Sequence, residues 1–406
     1  MKNLKDKMKK EIPLFKVFMS DKAAGRASEV INSGFIGEGP QVKEFESELR
    51  RYFKTDEAYD ISTVNSATSA EHLLYHYFKK DRELIENVYQ NIAFTSCKWD
   101  ALTSTDEVLT TALTCTATNW PIINSGLNLK WVDTDPKTLN MSLDDLENKI
   151  NKHTRIITVV HWGGNPIDLD RLKEIADAAT EKYGRKVIII EDCAHSFGST
   201  WKDKKVGFTG NFGTFSLQAI KHITSGDGGF ISSPYASSTK SFQVLRWYGI
   251  DRDAGNRADF RCEADVEEAG YKYHMNDISA AIGRSNLEHA DYIVNSNKSN
   301  GQFYNKNLKG VNGITLINEF DCADPAYWLY SLHAERRDDL MRYLGENGVK
   351  SSRVHERNDL HTCTQQFKSH LPGVDEAVKS MLCIPVGYWV DQESREYIVD
   401  LIKKGW

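Results

Sequence analysis

An α/β architecture, with a mostly parallel sheet held between helices and a smaller domain after it, is predicted by three observations. Between residues 107 and 192, short apolar runs alternate with stretches of helical period, the pattern of βαβ units covered on both faces. After about Gly249 that alternation stops, and a polar, charged stretch covers residues 250–269. The 406 residues also exceed the ~250–300 over which one hydrophobic core keeps growing. The division expected is a large domain over residues 1–249 and a smaller α+β domain over 250–406.

The elements follow in order. Residues 20–33 have the spacing of an amphipathic helix, the glycine-rich GFIGEGP breaks it, and residues 42–53 are helical again. DISTVNSATSAEHLLYHYF (60–78) reads as a short strand, a turn of small residues at 65–69, and a helix carrying Leu73, Leu74 and Tyr77. Residues 79–105 are charged, then mixed, with no clean period. Then come a strand at 108–113, a helix at 117–123 and a strand at 129–133. Ser142 and Asp145 give an S-x-x-D capping signal for a helix to residue 150. A buried-type strand at 155–160 ends at His161, an amphipathic helix spans 168–183 up to Gly184, and a strand at 187–190 precedes two acids. A further helix is predicted near 277–286, with shorter pieces beyond it.

Bulk properties exclude several classes. A net charge of −6 with pI near 6.1 lacks the basic excess of a nucleic-acid binder. The basic start at Lys2–Lys10 is followed by no apolar core of a secretory signal, and no run is long enough to span a membrane. Seven scattered cysteines (Cys97, Cys115, Cys193, Cys262, Cys322, Cys363, Cys383) show no metal-ligand spacing. A reduced, cytoplasmic protein is expected.

The chemistry centres on Lys221, within FGTFSLQAIKHITSGDGGF, and on the EDCAHSFGS that precedes it. A strand running into Glu191 and Asp192 puts a carboxylate at the carboxyl edge of the sheet, where α/β proteins keep ligands. A second strand then delivers one lysine into a Gly/Ser/Thr-rich turn. Amine and carboxylate together are what pyridoxal phosphate needs, the first for a Schiff base and the second to keep the pyridine nitrogen protonated. The turn at Ser66–Ser69 offers backbone N–H groups and the hydroxyls of Thr68 and Ser69 to a phosphate, or simply caps the helix. Ser216 adds a donor, and His195 can reach the cofactor's phenolic oxygen. Each residue alone has an ordinary reading: a solvated lysine, a turn cap, a satisfied histidine. Their order along one chain suits a single cofactor.

On these residues, and on IPLF (12–15), SGFIGEGPQVKEFE (33–46), HWGG (161–164), GYKYHMNDISAAIG (270–283) and CIPVGYW (383–389), the chain resembles the DegT/DnrJ/EryC1/StrS family of sugar aminotransferases. The resemblance implies the fold-type-I architecture, with a mixed, mostly parallel sheet. It also implies pyridoxal 5′-phosphate as cofactor, passing through pyridoxamine 5′-phosphate in a ping-pong transamination. L-Glutamate would donate the amino group to a nucleotide-linked keto sugar, most similar to a 4-keto-6-deoxyhexose or a 4-ketopentose. Residue by residue, it implies Lys221 as Schiff-base lysine and proton shuttle, Asp192 on the pyridine nitrogen and His195 near the ring oxygen. Thr68, Ser69 and Ser216 would hold the phosphate and His161 would line the sugar pocket. Lys272 and His274 would reach the partner's cofactor in a homodimer.

Three departures stand out. Cys115 occupies the position where the family carries an aromatic ring over the cofactor, while nearby Trp120 reads as core filling. The insertion at 79–105 either covers the site or decorates the surface. Arg353 and Arg357, in the charged run SSRVHERND, either grip a diphosphate or make surface salt bridges. Two rivals remain: a cofactor-dependent sugar 3-dehydratase relative, which carries histidine in place of Lys221, and a non-catalytic sugar-nucleotide binder.

Overall fold

The computed structural model describes residues 11–55, 59–85, 96–253 and 265–406. The basic start, residues 86–95 of the insertion, and residues 254–264 with Cys262 lie outside them.

Helices α1 (Ala23–Ser33) and α2 (Pro40–Phe53) come first. The latter starts two residues before the expected helix because Pro40 suits a first helical turn, where no N–H is needed. Then follow β1 (Asp60–Val64), α3 (Ala67–Tyr77), β2 (Arg82–Ile85), β3 (Ser96–Trp99), β4 (Glu107–Thr111), α4 (Thr116–Asn124) and β5 (Asn128–Val132). Helix α5 (Leu143–Lys149) is capped by Ser142, whose Oγ accepts from Asp145 N at 3.3 Å, as the capping signal predicts. Next are β6 (Thr154–Val160), α6 (Leu169–Tyr183), β7 (Ile188–Asp192), β8 (Thr200–Trp201), β9 (Lys204–Lys205), β10 (Phe212–Ser216), β11 (Gly229–Ser233) and α7 (Ala236–Leu245).

The central sheet has the order β1-β11-β10-β7-β6-β4-β5. Only β11 is antiparallel to its neighbours, so the other six strands run one way and end on one edge. Strand β7 continues through both acids, and the two-residue alternation of a strand turns them to opposite faces. Ile189 joins the core under α2 and α6, the side of Glu191. Ile188 and Ile190 join the core under α3 and α7, the side of Asp192. Each of these isoleucines is buried, worth about 1.5–3 kcal/mol apiece.

The insertion is more than surface decoration. Strands β2 and β3 form an antiparallel hairpin whose Leu84 and Trp99 are fully buried in the α3-side core. Arg155, at the start of β6, stacks 4.0 Å from the Trp99 ring centre and donates to Asp100 O at 3.1 Å. The start of a parallel strand lies at the sheet edge away from the site, so the described part of the hairpin supports the core from that end.

The remaining elements are α8 (Asp277–Leu287), α9 (Ala290–Leu308), β12 (Ile314–Leu316), β13 (Ala323–Asp324), β14 (Tyr330–Ala334), α10 (Arg337–Glu346), α11 (Pro372–Ser380), β15 (Met381–Ile384) and α12 (Gln392–Lys404). Helix α8 packs on α1 and α2, and its Asp277 accepts from Gly39 N at 2.9 Å and Val42 N at 3.0 Å, capping α2 from far along the chain. A second sheet, β12-β14-β15, has its own core with Tyr304, Leu332, Leu340, Ile384 and Ile398. The 19-residue α9 is longer than the short pieces expected there. Its buried stripe includes Asn297 and Asn300, which bond to Tyr327 O and to the carbonyls of Val386, Gly387 and Val390, so no apolar period announces it. Among the described residues, no helix is long and apolar enough to cross a membrane.

Candidate active site

The common edge of the six strands gathers the marked residues. Lys221 follows β10, half-buried, with Nζ 3.7 Å from the centre of the Trp328 ring. Burial lowers its pKa to about 8 despite the opposing pull of Asp192. Trp328 is held by its indole N–H, which donates to Ile220 O at 2.8 Å. The same ring stacks on His195, with centroids 3.9 Å apart and planes at 21°. His195 is buried, and burial together with cationic Lys221 holds its pKa well below the usual histidine range, so it is neutral. Its Nδ1 is buried, with no hydrogen-bond partner among the described residues. His355 lies parallel to it at 5.7 Å, with its pKa lowered to about 4 by burial and Lys221. Sequence reading missed Trp328 and His355. Both come from the C-terminal part of the chain, and only an aromatic in PAYWLY and a histidine in RVHER signalled them.

Asp192 ends β7 with both oxygens engaged. Oδ1 accepts from Ala194 N at 2.9 Å, and Oδ2 accepts from Thr118 Oγ1 at 2.7 Å. Thr118 was also missed; it lies on α4 one turn after Cys115. Cys115 is half-buried at the head of α4, within electrostatic reach of Lys221 and Glu71.

Helix α3 points its N-terminus at the same edge. Ser66 caps it by accepting from Ser69 N at 3.1 Å, and Ser69 Oγ donates to Asn65 Oδ1 at 2.7 Å. Thr68 is half-buried in that first turn. Ser216 ends β10, its Oγ accepting weakly from Gln218 N at 3.4 Å. Gly229 of β11 passes so close that a Cβ there would meet Ala67 N at 2.5 Å, which explains a glycine at this position. Lys272 and His274 run beside the same helix terminus: Lys272 O accepts from Asn65 Nδ2 at 3.3 Å, and Asn65 N donates to Tyr273 O at 2.7 Å. The Lys272 side chain is exposed, while the His274 ring packs 3.9 Å from Trp247.

Other expectations are corrected. His161 does not line a pocket: it is fully buried on the Glu191 side of the sheet. Ile167 N donates to its Nδ1 at 3.3 Å, so Nε2 carries the hydrogen toward Glu191 Oε2 at 3.1 Å. Glu191 also accepts from Gly207 N, Thr209 and Asn211; against burial, the bond from His161 first and those from Thr209 and Asn211 after it hold its pKa down. Arg357 is not free for a diphosphate. It is buried, with Nε and Nη2 donating to Asp359 at 2.8 and 2.7 Å and Nη1 to Asp375. Arg353 pairs with Glu356 at the surface. Trp120 fills no core; it is half-buried, edge-on to His361 at 5.6 Å.

An amine of lowered basicity, a carboxylate at a strand end, an orphan imidazole nitrogen and a helix N-terminus at one sheet edge fit the donor set that pyridoxal phosphate requires. The sequence profile of the DegT/DnrJ/EryC1/StrS aminotransferase family matches residues 19–403, and the chain belongs to that family. It is a pyridoxal phosphate-dependent aminotransferase, with the α/β fold of that group. The sugar aminotransferase CalS13 from Micromonospora echinospora is 38% identical, with a TM-score of 0.88 over 97% of this chain and 100% of that one. AtS13 from Actinomadura melliaura is 39% identical, with a TM-score of 0.88 over 98% and 99%. GDP-perosamine synthase of Escherichia coli O157:H7 is 28% identical over 349 residues, 85% of each chain.

Proposed function

We propose that this chain transfers the amino group of L-glutamate to a nucleotide-linked keto sugar, at C4 of a 4-keto-6-deoxyhexose, in two half-reactions. The observation that carries the reading is the convergence of Lys221 and Asp192 at one sheet edge, the amine already depressed in basicity. Similarity to the sugar aminotransferase CalS13 and to GDP-perosamine synthase supports a sugar as acceptor.

When bound, pyridoxal phosphate supplies an aldehyde carbon to carry the amino group and a ring that withdraws electrons from the neighbouring carbon. Lys221 Nζ tethers the cofactor at rest and afterwards moves a proton to and from the carbon bearing the amino group. A pKa near 8 suits a base working around neutrality. Asp192, held still by Thr118 and Ala194, keeps a proton on the ring nitrogen. Neutral His195, backed by Trp328, presents Nδ1 to the ring oxygen. Thr68, Ser69 and Ser216 would hold the phosphate at the head of α3, and Cys115 would take the place of the aromatic that the family carries beside the cofactor. We place Lys272 and His274 at the partner's site in a two-fold dimer, and the enzyme in the cytoplasm.

The test is incubation with L-glutamate and a panel of UDP-, GDP- and dTDP-linked keto sugars, with 2-oxoglutarate formation measured. Formation dependent on one of the sugars is expected. A visible band from bound cofactor with no 2-oxoglutarate from any sugar overturns the assigned acceptor.

A further inference from the structure

Behind Asp192 sits a second acid, Glu71. It lies on α3 with Leu74 and Tyr75 one turn on, the face that packs on the sheet. It is about 1% exposed. In the register of the sheet, Thr214 pairs with Asp192, and Thr214 Oγ1 reaches Glu71 Oε1 at 3.4 Å. The other oxygen, Oε2, is buried, and among the described residues it has no partner other than the Asp192 carboxylate it faces. Two carboxylates cannot meet in a dry site without a proton between them. Among the described residues, the groups acting on Glu71 include no cation: they are Asp192 on β7, Cys115 ahead of α4 and Tyr75 on the same helix. Burial and Asp192, in that order, hold its pKa well above the usual carboxyl range.

We propose that Glu71 is a positioning residue whose carboxyl keeps one proton and donates it to Asp192, so that the two acids carry a single negative charge. Asp192 then receives Ala194 N–H, Thr118 O–H and Glu71 O–H, leaving one of its roughly four acceptor sites for the ring nitrogen. That last role rests on the function proposed above, whereas the shared proton does not.

Two measurements separate these claims. The sign of the first follows from proton linkage: a folded state that keeps a proton which the unfolded chain loses above about pH 4.3 becomes less stable as pH rises. Glu71→Gln preserves the donor and removes the titration. Melting of full-length Glu71→Gln and wild type, with and without pyridoxal phosphate, is therefore expected to diverge from about pH 5 to about pH 8. The variant should gain by roughly 2 °C or more at the upper end. A constant difference, or one that turns against the variant with rising pH, overturns the shared proton.

The second measurement is the pH midpoint of the bound cofactor's visible band. Glu71→Leu leaves the whole negative charge on Asp192 and should move that midpoint up by roughly half to one unit, while Glu71→Gln restores the wild-type value. Equal shifts in both variants, or none in either, reduce Glu71 to packing. A normal first result with that second outcome keeps the proton and discards its link to the cofactor.

Discussion

His161 and His195 both follow strands at the same sheet edge, yet one is sealed in the core and the other faces Lys221. The cause is the side to which each ring turns. His161 meets Glu191 beneath the sheet, while His195 stacks on Trp328 in the cleft. Replacing His161 by Ala removes a buried hydrogen-bond partner of Glu191 and is expected to lower stability by about 1–3 kcal/mol. A raised KM for the sugar with unchanged melting would return His161 to the pocket. Lys221→Arg should cut turnover by at least about 10³-fold while circular dichroism and melting remain those of a folded protein. The lysine's pKa also sets a direction. Above about 8 the amine is unprotonated, so uptake of added pyridoxal phosphate by cofactor-free protein should accelerate as pH rises through that value. A rate that falls with pH across it would mean that the amine is not the group being titrated.

Among the elements, those built on a clear period were legible: α3 with its Ser66 cap, α6 between Asp168 and Gly184, and the strands β4 to β7. The β2–β3 hairpin and α9 were not, because the first lacks a period and the second buries asparagines. Trp99 shows what the hairpin contributes. It is fully buried, bonds to Phe78 O at 2.9 Å and carries Arg155 on its face. Trp99→Ala should lower stability by about 3–5 kcal/mol, seen as a shifted denaturation midpoint, with KM for both substrates unchanged. A change in KM with normal stability would place the hairpin over the active site instead.

Assembly is the remaining level of organisation. Lys272 and His274 run beside the head of their own chain's α3, at a surface carrying the exposed Lys272 side chain, which is where a two-fold partner would complete each cleft. Light scattering is expected to give twice the chain mass. Mixing inactive Lys221→Arg chains with Lys272→Ala/His274→Ala chains should recover part of the activity, because some mixed dimers contain one intact site. No recovery beyond that of either parent would confine each site to one chain.

The candidate chemical groups, their sequence in the chain and the alternation that builds a parallel sheet are all written in one dimension, because strand and helix periods and motif spacing are local. Which side of a strand faces the cleft depends on packing partners hundreds of residues away. Asp359 and Asp375 hold Arg357, which its charged run left open to a diphosphate or a salt bridge, and a buried Glu191 holds His161, which the family resemblance had placed in the sugar pocket. The same packing brought Trp328, His355, Thr118 and Glu71 to the lysine and its aspartate, since burial, proton sharing and ring stacking exist only once the chain has closed on itself.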